Sequence, residues 1–202
     1  MKKAFLAAML TGLCVLTVSS LAQNSDMAST ADHTAPSYDM KGQSLVDLDA
    51  VQKKFVALVN AIPDNKLTWR PTPDSRSFAE IFLHVVGERY GILGLMGAPK
   101  PDGFDGKALE KSTTDRAQIV AELNKSWDFT QKTINGMTNA DFAKLLPKLG
   151  PQANAGDVVY ILVADAHEHL GQAIAYSREN GIIPPWTAEA QKKAAEKKAE
   201  QK

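Results

Sequence analysis

Asp165-Ala-His-Glu-His-Leu-Gly-Gln172 lies in the most strongly helical segment of the chain, roughly Asn154 to Asn180. On an α-helix, residues four apart stack on one face. Asp165 and His169 are such a pair, and Gln172 and Tyr176 extend their stripe. His167 points about 200° away and cannot share a small ion with His169 without distorting the helix. Two ligands at i and i+4, with a third from a facing helix, is a common way for a bundle to hold a divalent ion. The other histidine outside the N-terminal region is His84, in the middle of a second helical pattern. The expectation is that His84, Asp165 and His169 converge as a three-ligand metal site. An Asp–His pair is also the pattern of a buried hydrogen bond, and a histidine on an apolar face is more often core than ligand. Burying a carboxylate alone is costly, so Asp165 needs a metal cation, His169 as imidazolium, or solvent.

Outward from this stretch, the pattern is helical almost throughout. Leu45, Leu48, Val51 or Gln52, Phe55, Leu58, Val59 and Ile62 recur at helical spacing from Ser44, and Pro63 ends that helix. Pro71 and Pro73 bias their neighbours to extended conformations, so residues 66–73 form a loop with Trp69 pinned to the bundle. Ser77 and Glu80 make a capping-box pattern that opens a second helix. Its apolar stripe is Phe78, Ile81, Val85, Ile92 and Leu95, with His84 and Glu88 beside it, and Gly97 and Pro99 stop it. Glu88, one turn after His84, is a candidate fourth ligand, hydrogen-bond acceptor or general base. Residues 97–111 hold three glycines and two prolines and read as a long loop at a pocket mouth.

A third helix runs from about Thr114 to Ile134, lined by Ile119, Leu123, Ser126 or Trp127, Thr130 and Ile134. Asn139 to Leu145 can add a short helix, and Pro147 to Pro151 a turn. The fourth helix is capped near Asn154 and closed by Gly181. Pro184-Pro-Trp186 reads as a rigid extended exit. Residues 188–202 are an Ala/Glu/Lys tail with no apolar face, either a solvated helical extension or an irregular segment. With no convincing strand, the fold class is all-α, a four-helix bundle.

The first 22 residues have the layout of a secretory signal: Lys2-Lys3, an apolar run from Ala4 to Val18, and small residues ahead of cleavage after Ala22. The run is about 15 residues, short for a membrane span, so no stable membrane insertion is expected after cleavage. An uncleaved anchor is the alternative. Thr11-Gly-Leu13 before Cys14 does not resemble a lipobox. Residues 23–43 read as a flexible leader containing His33, a solvated bystander. The expected location is therefore exported, periplasmic or secreted. Cys14, the single cysteine, leaves with the signal, which removes disulfides and cysteine chemistry from the mature chain. The 202-residue sequence has 23 basic and 23 acidic side chains; losing Lys2 and Lys3 leaves 21 against 23, and nothing points to nucleic acid.

Two motif groups resemble a known family. They are Thr68-Trp-Arg-Pro71 with Arg76-Ser-Phe-Ala-Glu-Ile-Phe-Leu-His84, and His169-Leu-Gly-Gln172 with Tyr176-Ser-Arg-Glu-Asn-Gly-Ile-Ile-Pro-Pro185. Their order and separation are similar to the DinB-like superfamily, over roughly residues 44–187. That group includes damage-inducible DinB proteins, YfiT-like metal-dependent hydrolases, and thiol-dependent transferases and isomerases. The resemblance implies a four-helix bundle with a three-histidine metal site. The first family histidine falls on His84 and the one before Gly-Gln on His169, whereas the third falls on Asp165. A further histidine of several relatives falls on Glu168.

Either Asp165 replaces an imidazole or the site is weakened. Imidazole and carboxylate ligands suit zinc, nickel, iron or manganese. The activity this implies is hydrolysis or group transfer on an unknown small molecule. Export argues against the thiol-using route, because those thiols are chiefly cytoplasmic. The alternative is a non-catalytic, stress-related bundle that binds a metal or small ligand. Bundles of this type often pair as homodimers, although no face of this one demands it.

Overall fold

Residues 39–201 are described by a computed structural model. The expected signal sequence, Cys14, His33 and the expected leader up to residue 38 lie outside them. In chain order the helices are α1 (Met40–Ala61), α2 (Phe78–Gly94), α3 (Gly106–Glu110), α4 (Arg116–Asn135), α5 (Asn139–Phe142), α6 (Ala155–Glu179) and α7 (Pro185–Glu200). A 3₁₀ turn at Asp64–Lys66 follows α1. Among the described residues the extended pairing is one isolated bridge, Leu145 with Asn154, which closes the turn around Pro147–Pro151. The all-α reading holds. Among the described residues, no helix is long and apolar enough to cross a membrane.

Four long helices carry the core. α1 and α2 each pack against both α4 and α6. Across the centre, Phe55 of α1 meets Phe82 of α2 edge-on, ring centroids 6.1 Å apart. α2 is the innermost helix: twelve of its seventeen residues are buried, from Phe78 to Leu93. Its pattern is apolar nearly all round, as a helix enclosed on most sides requires. α1, α4 and α6 bury one face each, which is why their stripes read clearly at helical spacing. Ser126 and Trp127 are both buried.

Local chemistry fixes the ends. Asn154 and Asp157 form a reciprocal capping box at α6, and the Asp115 side chain accepts from the Gln118 N–H at α4. Beyond α6, Gly181 takes φ +71° and lets Ile182 N–H reach back to Ser177 O at 2.8 Å. That closing geometry favours glycine.

Four expectations are revised and one open alternative is settled. α1 starts at Met40 rather than Ser44, since Lys41 Nζ donates to Asn135 O and Met137 O at 2.8 and 2.9 Å and ties this turn to the end of α4. Leu95, placed in the apolar stripe of α2, is 48% exposed: the helix ends at Gly94 and Leu95 is its C-cap. The 97–111 loop contains α3. Pro184-Pro-Trp186 starts α7 instead of an extended exit, and Pro185 occupies the first turn, where its missing N–H costs nothing. Trp186 is partly buried, with Lys54 Nζ 5.7 Å from its ring. The tail that follows is the solvated helical alternative, with exposed i,i+4 pairs such as Lys193–Glu189.

Candidate metal centre

The position of His84 is set at the start of α2. Glu80 N–H donates to Ser77 Oγ at 3.3 Å and Ser77 N–H donates to Glu80 Oε2 at 2.7 Å. Arg70 pairs with the same carboxylate at 2.9 Å. Burial would raise the Glu80 pKa, but the Ser77 donors and the Arg70 charge hold it below the usual value. This cap fixes the helical phase and so the direction in which His84 leaves α2.

On α6, His169 is held by its own helix. Its Nδ1 lies 3.1 Å from Gln172 Oε1, and Gln172 Nε2 donates to Tyr176 Oη at 3.2 Å. Tyr176 is in turn boxed edge-on by Trp69 and Phe78, at 5.4 and 5.7 Å between ring centroids. Trp69 is thus pinned to the bundle, and Gln172 and Tyr176 are hydrogen-bonding and packing residues, as read from the sequence.

α2 and α6 bring the three expected residues together. The His84 and His169 rings meet edge-on with centroids 4.5 Å apart. His169 Nε2 lies 3.3 Å from Asp165 Oδ1. His84, Asp165 and His169 each offer a ligand atom, and these atoms lie within 4.8 Å of one another. Metal–ligand bonds of about 2.1 Å in tetrahedral geometry put ligand atoms roughly 3.4 Å apart. The His169–Asp165 distance already matches, and a separation at the 4.8 Å limit asks for a closure of about 1.4 Å. The donor set, two imidazoles and a carboxylate, fits zinc, nickel, iron or manganese. The residues therefore could hold a divalent ion.

Burial alone would lower the His169 pKa. Hydrogen bonds to Asp165 and Gln172, with the Asp165 charge, outweigh burial and a weaker opposing effect of Arg76, and the net shift is upward. Asp165 thus favours the imidazolium form of the His169 ring beside it.

His84 has a different kind of support. Its Nδ1 lies 3.1 Å from Glu110 Oε2, on α3, and Glu110 Oε1 accepts from Arg76 Nε at 2.8 Å. An ionised carboxylate can only accept, so Nδ1 carries the proton and Nε2 keeps its lone pair for a ligand role. Glu88 Oε1 stands 3.7 Å from His84 Nε2, beyond hydrogen-bond reach and outside the three-residue cluster. Its side chain is 35% exposed, at the rim of the site. His167 and Glu168 are exposed and face away.

Reasoning from sequence missed Glu110 and Arg89. Asp105, whose Oδ1 accepts from Lys107 and Ala108 N–H at 2.9 and 3.2 Å, is a visible cap signal for α3. Nothing local links Glu110 to a histidine 26 residues earlier. Arg89 is 1% exposed. It donates to Leu123 O and Ser126 Oγ, both at 3.0 Å, and to Gln52 Oε1 at 2.8 Å. Burial pushes its pKa down to about 10, against the opposing charges of Tyr90 and Asp165.

Among curated proteins, none matches the chain. A family model described as the DinB superfamily matches residues 47–173, a span that holds His84, Glu110, Asp165 and His169. With a match over more than half of its length, an all-α architecture and the His-Asp-His cluster between α2 and α6, the chain belongs to the DinB superfamily.

Proposed function

We propose that this protein is an exported DinB-superfamily member that holds one divalent metal ion on His84, Asp165 and His169 and acts as a metal-dependent hydrolase or transferase on a small molecule. The observation that carries the reading is the approach of the three ligand atoms to within 4.8 Å. The sequence pattern of residues 1–22 supports export. A divalent ion bound there would supply Lewis acidity and bring the pKa of a water toward neutral. The chain's own groups do the rest. Glu110 and Gln172 hold the two imidazoles through Nδ1, and Asp165 supplies the negative charge. Glu88, at the rim, is the group placed to take a proton from a bound substrate or water.

A second reading, a non-catalytic metal-binding protein, is favoured by the limited access to the cluster. The side chains of His84, Asp165 and His169 are 16%, 19% and 8% exposed.

Metal analysis of protein purified without a histidine tag tests both. The expected content is about one ion per chain, falling close to none in His169→Ala. Wild-type protein without metal, whose stability ignores chelators and added zinc or nickel, removes both readings. Ester, amide and thiol-transfer substrates then separate them: turnover lost in His84→Ala supports the enzyme, and equal turnover in both proteins counts against catalysis at this site.

A further inference from the structure

We propose that Glu110 and Arg76 are positioning residues for His84, so that the seating of α3 on α2 sets the affinity of the site for its metal. The inference rests on the metal-site reading above and adds to it a control element from outside the two ligand helices.

The contacts form a short relay. Arg76, ahead of α2, donates to one oxygen of Glu110, and the other oxygen accepts from His84 Nδ1. The Glu110 side chain is 18% exposed, so much of its solvation has been exchanged for these two partners. The ion pair with the guanidinium restrains the carboxylate from turning toward solvent. With Nδ1 fixed as the donor, the ring cannot flip by 180° about its Cβ–Cγ bond without giving up a charge-assisted hydrogen bond. The nitrogen left over is Nε2, the one that can face Asp165 and His169.

Whether Glu110 stands there depends on α3, and α3 has a built seat. Gly106 of α3 lies directly over Gly87 of α2, three residues beyond His84: a Cβ at 87 would stand in ordinary van der Waals contact, 3.7 Å from Gly106 Cα and 3.8 Å from Gly106 O. Leu109 packs against the core, and Phe104 meets the Tyr90 ring at 5.7 Å. The Asp105 cap sets the turn from which Glu110 projects. A helix of five residues does not hold itself together in water, so its order comes from this docking. Metal loading and α3 docking therefore favour each other, because both select the same orientation of His84.

The test is calorimetric titration of the full chain with Zn²⁺ at neutral pH. Variants are Glu110→Ala, Glu110→Gln, His84→Ala and the double variant Glu110→Ala/His84→Ala. Glu110→Ala is expected to weaken zinc binding roughly 10–100-fold, as loss of a carboxylate behind a ligating histidine does. Glu110→Gln keeps size and an acceptor oxygen, and is expected to fold as wild type, checked by circular dichroism, and to bind zinc with an affinity between those of wild type and Glu110→Ala. In the His84→Ala background the Glu110→Ala change should have no further effect, because its influence passes through the missing ring. An affinity within about twofold of wild type in both single Glu110 variants overturns the inference while leaving the metal reading intact. A full Glu110 effect that survives without His84 also overturns it, since Glu110 would then act on the ion directly. Wild-type protein that binds neither Zn²⁺ nor Ni²⁺ sinks the metal reading and the inference together.

Discussion

The two helices that meet at the site hold their ligands in opposite ways. On α6, Asp165, His169, Gln172 and Tyr176 support one another at spacings of three and four residues, over about three turns of one helix. On α2, the neighbours of His84 along the helix are mostly core, and its polar partner arrives from a five-residue helix 26 positions away. A stripe on one helix is a local fact, whereas a contact between distant segments exists only once the core has formed. One half of the site is consequently rigid by helix geometry and the other by tertiary packing.

The comparison can be broken first through the core. α2 is buried on nearly all sides, so Phe82→Ala should cost about 3–5 kcal/mol in chemical denaturation. Tyr160→Ala, on the open face of α6 at 70% exposure, should stay within about 0.5 kcal/mol. Similar losses at both positions would mean that α2 is not the central element. A smaller effect is expected from the local half of the site. Gln172→Ala removes the partner of His169 Nδ1 and should weaken Zn²⁺ binding about tenfold, measured by competition with a chelating dye. That loss should add to the loss from Glu110→Ala, because the two supports hold different rings. Strong coupling between them would erase the distinction between the two halves.

The smallest effect concerns the cap that sets the phase of α2. Ser77→Ala should cost about 1 kcal/mol. The Glu80 carboxylate has a depressed pKa in the folded chain. Its contribution is therefore present above the unfolded glutamate pKa and is lost as pH falls through the lower folded value. Denaturation midpoints of wild type and Glu80→Gln should differ at neutral pH and converge on the acid side of the ordinary glutamate range. A gap that does not narrow at all as pH falls through and below the ordinary glutamate range would show that the carboxylate charge plays no part in the cap.

These halves also mark how far the sequence could be read. The four long helices were legible because their stripes are amphipathic or strongly apolar, and their caps, Ser77 with Glu80 and Asn154, are local signals. The His84–Asp165–His169 cluster was legible because two of its members share a stripe and the third is the remaining histidine of a helix in the same core. Glu110 was not, since α3 sits in a glycine- and proline-rich stretch and takes its order from docking. Glu88 looked the better partner by spacing, but at i+4 its carboxylate stops 3.7 Å short of Nε2. The start of α1 and the first turn of α7 escaped for a related reason: Lys41 and Trp186 are anchored by residues far along the chain.

Arg89 gives the carboxylate at position 165 a second purpose. Its guanidinium is sealed in the core among neutral acceptors, and keeping it charged there is expensive. The Asp165 charge acts in the opposite sense to burial on that guanidinium. A third imidazole, uncharged, would give no such relief and would leave a divalent ion and a fixed monocation sharing one low-dielectric interior. With a divalent ion bound, aspartate at this place would lower the summed charge of ion, ligands and guanidinium by one relative to a neutral imidazole, a difference matched by the cation buried on the facing helix.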